Sequence, residues 1–277
     1  MKTLRLPSGE TVSALGQGTW HMGDAPNARA EEVATLREGL DLGLTLIDTA
    51  EMYGEGRAEE LIGEALRGRR EEAFIVSKVY PHNASRKGVV AACERSLKRL
   101  ATDRLDLYLL HWRGNVPFEE TIAGFEALRA AGKIRHFGVS NLGLADMREW
   151  WSIAAGRAVA TNQLLYNLTR RGIEWDLMPW LAERHIPVMA YSPIEQAGLV
   201  GHTGLVKFAR NHGMTPAQAA LAWLLAKDGV IAIPKTGNRD RLRENAGARN
   251  VDLNAAQLAQ LDRLFPPPRS ANSLEML

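Results

Sequence analysis

Apolar residues recur along the chain in two rhythms. Short, near-continuous apolar runs alternate with longer stretches in which apolar positions return every three or four residues. The runs cover residues 15–19, 44–49, 74–79, 105–111, 134–140, 160–165, 187–192 and 230–234. Their length and weak alternation predict eight strands, several of them buried on both faces. Between the strands, the helical period predicts helices over 30–42, 58–67, 86–100, 118–131, 144–151, 175–184 and 216–227. Further helices are expected over 239–248, after the last strand, and over 254–264, before the tail. Ahead of all this, residues 2–6 and 11–14 alternate around Pro7-Ser8-Gly9, as in a small hairpin.

Strands that alternate with helices imply right-handed βαβ units and a parallel sheet. Eight such units imply a closed α/β architecture, a (β/α)8 TIM barrel with an N-terminal β-hairpin and a short C-terminal helix and tail. No linker or charge block divides residues 1–277, so a single barrel domain is expected. The mixed-sign stretch 67–72 reads as a solvated loop. Pro266-Pro267-Pro268 cannot continue a helix. The last dozen residues are therefore expected to form an irregular surface segment.

Composition narrows the classes further. The chain has 277 residues, 45% hydrophobic and 24% charged, which fits a globular protein rather than a disordered one. A net charge of +2 gives no reason to expect nucleic acid or membrane partners. The single cysteine, Cys93, excludes an intramolecular disulfide and suits a reducing compartment. The N-terminus lacks the apolar core of a signal peptide, and no apolar run is long enough to span a bilayer. A cytoplasmic protein acting on a small molecule is expected, and nothing demands more than a monomer.

Active sites of such barrels form where strands end and βα loops begin. Those ends carry Thr19-Trp20-His21, Asp48, Lys78, His111-Trp112, Ser140-Asn141, Gln163, Tyr191-Ser192 and Lys235-Thr236. One polar residue at a strand end means little, because turns begin there. Eight around one rim are harder to assign to turns alone. Asp48, Lys78 and His111 end successive strands, and Tyr53 lies just past the first of them. Neighbouring strands are about 4.8 Å apart, so these side chains can converge. Singly, Asp48 could cap a turn, Tyr53 could pack, and His111 could be a satisfied core histidine. Lys78 is the hardest to explain so, since lysine seldom ends a buried strand without a partner.

Together the four make a proton donor. A phenol with a pKa of about 10 is a weak acid at neutral pH. An ammonium about 4 Å away attracts a phenolate by on the order of 4 kcal/mol before desolvation, so Lys78 is expected to lower the Tyr53 pKa. Asp48 is expected to keep Lys78 charged and to act on Tyr53 through it. His111 can hydrogen-bond a carbonyl oxygen beside Tyr53. The set suits protonation of an oxygen that becomes an alkoxide as hydride reaches carbon.

These residues sit in a series of short motifs. They are Gly18-Thr19-Trp20, Asp48-Thr49-Ala50 with Tyr53-Gly54, Val76-Ser77-Lys78, Leu110-His111-Trp112, Gly138-Val139-Ser140-Asn141, Asn162-Gln163, Tyr191-Ser192-Pro193 and Ile233-Pro234-Lys235-Thr236. Along nearly its whole length the chain resembles the aldo-keto reductases. The resemblance implies an NADPH-dependent carbonyl reductase with Asp48, Tyr53, Lys78 and His111 as the catalytic tetrad and Tyr53 as general acid.

The chain has neither a Rossmann fingerprint nor a P-loop, so rim residues must hold a nicotinamide cofactor. The resemblance puts Ser140, Asn141 and Gln163 on the carboxamide, the Tyr191 ring flat against the nicotinamide, and Ser192 beside it. It carries Lys235, Thr236 and Arg241 to the 2′-phosphate, and Glu244 and Asn245 to adenine, which favours NADP over NAD. Arg241, Glu244 and Asn245 share one helical face behind a cap at Asn238. Arg239 and Arg243 read as solubilising residues. Many relatives follow Tyr-Ser-Pro with Leu-Gly, whereas Ile194-Glu195 stands here. Glu195 is expected to turn away from the pyrophosphate or to pair with a base.

Trp20 and Trp112, with Met52, are expected to line the carbonyl pocket. The short tail implies an open site of broad specificity, with small aldehydes and α-dicarbonyls as the expected class. The stretch 111–117 and the ending 273–277 look like the bacterial methylglyoxal-reductase branch, with diketogulonate-reductase-like members nearby. Arg113 reads more simply as a loop arginine than as an attractor of anionic substrates. A non-catalytic NADP-binding subunit would not need the full tetrad. A metal hydrolase would need ligand spacing that the seven histidines lack, so no metal is expected. A lyase using Lys78 as a Schiff base would not consume NADPH.

Overall fold

The computed structural model describes residues 2–277. Strands β1 (Thr3–Arg5) and β2 (Thr11–Ser13) form the antiparallel hairpin, with Leu4 opposite Val12. Eight parallel strands follow in chain order: β3 (Gln17–Gly18), β4 (Leu46–Asp48), β5 (Phe74–Val79), β6 (Leu105–Leu110), β7 (Ile134–Ser140), β8 (Asn162–Leu165), β9 (Val188–Tyr191) and β10 (Val230–Ala232). Each pairs with the next. The ring closes between the first and last, where Gly16 N donates to Ala232 O at 2.8 Å and Gly18 N to Pro234 O at 3.0 Å. The expected closed barrel is therefore present.

Helices lie between the strands: α1 (Arg29–Asp41), α2 (Arg57–Ala65), α3 (Arg86–Leu100), α4 (Phe118–Ala130), α5 (Leu144–Ser152) and α6 (Leu177–Ala182). They continue with α7 (Thr203–Asn211), α8 (Pro216–Leu225), α9 (Arg239–Gly247) and α10 (Ala255–Leu264). Helix α7 is absent from the sequence expectations. Its N-terminus is capped by His202, which accepts from Leu205 N, rather than by the usual Ser, Thr or Asp. Helix α6 starts later than expected, because Pro179 has no N–H and fits only in a first turn. None of the helices among the described residues is long and apolar enough to cross a membrane.

Side-chain parity explains the layers. Successive residues of a strand point to opposite faces. Leu46, Val76, Leu107, Leu109, Met189 and Ile231 pack together inside the barrel, over Leu6 and Val12 of the hairpin. Their neighbours Ile47, Ile75, Tyr108, Val188 and Val230 face the helices in the larger core. Two residues beyond Leu46, Val76, Leu109 and Met189, the same inward direction falls on Asp48, Lys78, His111 and Tyr191. Below, Glu10 of the hairpin holds His136 Nε2 at 2.6 Å and Arg135 at 2.8 Å.

The contact between β3 and β4 is tight at Gly16, beside the closure, where an added Cβ would lie 2.8 Å from both the carbonyl oxygen and Cδ2 of Leu46. Gly16→Ala should destabilise the protein by about 1–3 kcal/mol through overpacking. A urea midpoint equal to that of the unaltered protein would contradict this account of the β3–β4 packing.

Candidate active site

Lys78 ends inside the barrel with no solvent exposure. Its Nζ has three acceptor groups around it. They are the Asp48 carboxylate at 2.8 and 2.9 Å, Thr49 O at 2.7 Å, and the Tyr53 hydroxyl at 3.1 Å. Lys78 therefore stands between Asp48 and Tyr53, and because it donates to the phenol oxygen, the phenol proton remains free to face the cavity. Gln163 Nε2 holds the same carboxylate at 2.7 Å.

Tyr53 is set by the loop after β4. Gly54 and Gly56 turn the chain there at φ of +57° and +96°, conformations that suit glycine. Glu51, buried in the same loop, accepts from Tyr80 N at 2.9 Å, Asn83 Nδ2 at 3.0 Å and Arg95 Nη2 at 3.3 Å. This ties the Tyr53 loop to the segment after Lys78. Glu59 accepts at 2.6 Å from both Ser77 Oγ and Arg99 Nε behind β5. The sequence reading missed both acids. Glu51 lies inside the Asp48–Tyr53 motif, and Glu59 recurs on the apolar face of α2, so the signal was a carboxylate where a core residue belongs.

Burial pushes the Asp48 carboxyl up and the Lys78 ammonium down, and their mutual attraction opposes both shifts. Burial, followed by the negative charge of Asp48, pushes the Tyr53 phenol well above its ordinary value. This corrects the expectation that Lys78 lowers it. The ammonium lies closer to Asp48 than to the phenol, and desolvation outweighs what remains. Tyr53 is thus held as the protonated acid. His111 stands edge-on to Tyr53, with ring centroids 6.0 Å apart. Burial, then the Lys78 charge, pushes its pKa down to about 2, so the imidazole is neutral.

Asp48, Tyr53 and His111 line a cavity of about 1080 Å³, with Lys78 buried against them. Trp20, Met52 and Trp112 line the same cavity. On its wall, Tyr191 OH donates to Asn141 Oδ1 at 3.0 Å, and Asn141 Nδ2 donates to His111 O and Ser140 Oγ, both at 3.2 Å. Gln163 keeps its Oε1 free of protein hydrogen bonds, its amide nitrogen being taken by Asp48. Lys235, Thr236, Arg241, Glu244, Asn245 and Ser192 also line it. Among the described residues neither Lys235 nor Arg241 makes a salt bridge. By contrast, Arg239 and Arg243 both grip Glu38 of α1, outside the cavity.

Two further expectations meet the structure. Glu195 turns from the cavity to Arg170, at 2.7 Å, and to Asn167, at 2.6 Å. Arg113 is held by Asp146 at 2.7 Å and Glu149 at 2.6 Å, away from the cavity. A third meets it too. The last dozen residues are irregular and mostly exposed, and they return to the barrel mouth, where Met276 and Leu277 line the cavity. Leu274 packs on the core and Glu275 pairs with Arg170, which brings the segment back.

The aldo/keto reductase family model matches residues 14–265. The chain belongs to the aldo/keto reductase family. It is 50% identical to the methylglyoxal reductase YeaE of Escherichia coli over 282 residues, covering 100% of this chain and 99% of the relative. Glyoxal reductase of Bacillus subtilis is 32% identical over 267 residues, 95% of this chain and 92% of the relative. Among solved structures, an aldo-keto reductase from Klebsiella pneumoniae in complex with NADPH is 49% identical with a TM-score of 0.97. The match covers 100% of this chain and 99% of that one. A second Klebsiella pneumoniae structure, with NADP and acetate, is 50% identical at the same TM-score and the same coverage. This reductase is an oxidoreductase by family.

The low His111 pKa has a consequence for acid stability. The unfolded chain takes up a proton near pH 6.5, which the folded imidazole refuses until about pH 2. Between those values the unfolded state binds more protons, so stability falls as pH falls. The contribution from His111 should be about 1.4 kcal/mol lost per pH unit below 6.5. Urea unfolding at pH 7, 6 and 5 should show His111→Asn to have a shallower slope; equal slopes would refute a neutral buried histidine.

Proposed function

We propose that this chain reduces small neutral aldehydes and α-dicarbonyls, methylglyoxal among them, with NADPH as reductant and Tyr53 as general acid. The observation that carries the proposal is the pairing of two groups of residues in one cavity. A buried Lys78 bridges Asp48 and the Tyr53 hydroxyl, which line it. Two cations without carboxylate partners among the described residues, Lys235 and Arg241, line it as well.

The residues fit the cofactor. Unpaired cations suit a phosphate. The free Gln163 oxygen can accept from a carboxamide, and the Tyr191 ring offers a stacking face. The chemistry that bound NADPH supplies is a hydride for the carbonyl carbon. The protein manages the oxygen. Neutral His111 hydrogen-bonds the carbonyl oxygen and orients it. As that oxygen gains charge, the Tyr53 O–H bond breaks and its proton passes to the oxygen. The phenolate left behind receives the Lys78 N–H already 3.1 Å away, and Asp48 holds the ammonium in place. Tyr53 regains its proton from solvent after the alcohol leaves.

A neutral substrate fits the charges around the tetrad. Lys78 is buried in its own ion pair, His111 is uncharged, and Arg113 is turned away. No free cation among the described residues awaits a carboxylate there. The buried lone cysteine suits a cytoplasmic setting.

Loss of absorbance at 340 nm on mixing the protein with NADPH and methylglyoxal is the direct test. No oxidation of NADPH with any of a panel of aldehydes would sink the proposal. Tyr53→Phe should keep NADPH binding and lose at least about 100-fold in kcat, in the range of general acid catalysis; substantial turnover would remove Tyr53 as the acid. Lys235→Ala and Arg241→Ala should each weaken NADPH binding about tenfold and leave NADH nearly unchanged, as expected for a lost charge-assisted hydrogen bond. Equal losses for both cofactors would place the cations elsewhere than on the 2′-phosphate.

A further inference from the structure

Two segments that cover the cavity from different sides meet at one arginine. The first is the loop after β9. Ser192, Glu195, Gln196 and Ala197 all take positive φ, between +48° and +73°. Non-glycine residues in that region are strained and persist only where surrounding contacts hold them. Ser192, Gln196 and Ala197 line the cavity on the side proposed for the cofactor. The second segment is the stretch after α10, whose Met276 and Leu277 line the cavity and whose Leu277 N donates to Tyr191 OH at 3.3 Å.

Arg170, in the loop after β8, reaches both. Its Nε and Nη2 donate to Glu195 Oε1 at 2.9 and 2.7 Å, and its Nη1 donates to Glu275 Oε1 at 2.7 Å. The turn that presents it is pinned by Asn167, which is fully buried. Asn167 Oδ1 accepts from Thr169 N, Thr169 Oγ1 and Arg170 N, while Nδ2 donates to Ser192 O at 2.9 Å and to Glu195 Oε2 at 2.6 Å. One fixed turn thus holds the strained loop directly and the returning tail through a single guanidinium.

We infer that Arg170 is a positioning residue that couples the loop after β9 to the tail, so that closure over the cofactor and completion of the carbonyl pocket support each other. Its extension to ligands rests on the reductase reading; the mechanical link does not. Arg170 touches neither proposed ligand. Breaking the link leaves the tetrad in place and loosens both covers. Coupling of this kind is reciprocal in binding free energy, so a ligand that closes one segment favours closure of the other.

The test uses Glu195→Gln, Glu275→Gln, the double variant and Arg170→Met in the full chain. Amide hydrogen exchange needs no ligand. Glu195→Gln should speed exchange in residues 272–277, and Glu275→Gln should speed exchange in residues 192–201, each about two- to fivefold, the scale of a partly exposed ion pair. Correspondingly, Glu275→Gln should raise the Kd for NADPH measured by protein fluorescence, and Glu195→Gln should raise the KM for methylglyoxal. The double variant should match Arg170→Met rather than the product of the single effects. Added salt should erode the effect in the unaltered protein and not in Arg170→Met. Changes confined to each variant's own segment, or additive in the double variant, would overturn the coupling. Cross-effects in exchange without NADPH binding would uphold the link and strike only the reductase reading.

Discussion

The site depends on one buried ammonium. Lys78 has left water entirely, and its three donors meet Asp48, Thr49 O and Tyr53. Taking such a charge from water costs several kcal/mol, and only close acceptors with good geometry offset it. That requirement fixes the neighbours. Asp48 must lie within reach, its second interaction is met by Gln163, and the loop bearing Tyr53 must return to the same point. Glu51 and the two glycines of the loop bring about that return. The lysine thereby makes the positions of three other side chains mutually dependent.

The protonation states follow from the same burial. A phenol pushed up and an imidazole pushed down are both neutral at ordinary pH. Beside the Asp48–Lys78 ion pair the cavity therefore presents two neutral polar groups. Elsewhere on its lining, Lys235 and Arg241 make no salt bridge among the described residues, whereas Arg239 and Arg243 are drawn to Glu38 outside it. Asn141 links Tyr191 to the His111 strand end in the same wall.

The covers over this cavity differ from the barrel in kind. The strands hold their side chains by ladders and packing. The loop after β9 instead holds a run of positive φ angles by the contacts of Glu195 and Ser192 to Asn167 and Arg170. Segments of this sort are drawn from the less stable parts of a fold, where binding can shift them. A tail whose Glu275 pairs with the same arginine makes the cavity wall at Met276 and Leu277 depend on the same small set of ion pairs.

The amino-acid sequence by itself determined the barrel and most of its rim. Eight apolar runs separated by helical periods leave little freedom of topology, and strand parity carries Asp48, Lys78 and His111 inward together, because side chains alternate with a period of two. The interrupted pattern around Pro179 and the unusual cap at His202 blurred α6 and α7, since local signals there compete with tertiary packing. Other features were decided only in three dimensions. The phenol's pKa depends on burial and on which partner lies nearer the ammonium, and neither is written in spacing. Gln163 turns its nitrogen to Asp48 across 115 positions of sequence. Arg170 meets Glu275 across 105, and the tail returns to the mouth through that contact and Leu274. Such pairings join residues with no shared local pattern, so only the closed fold brings them within reach.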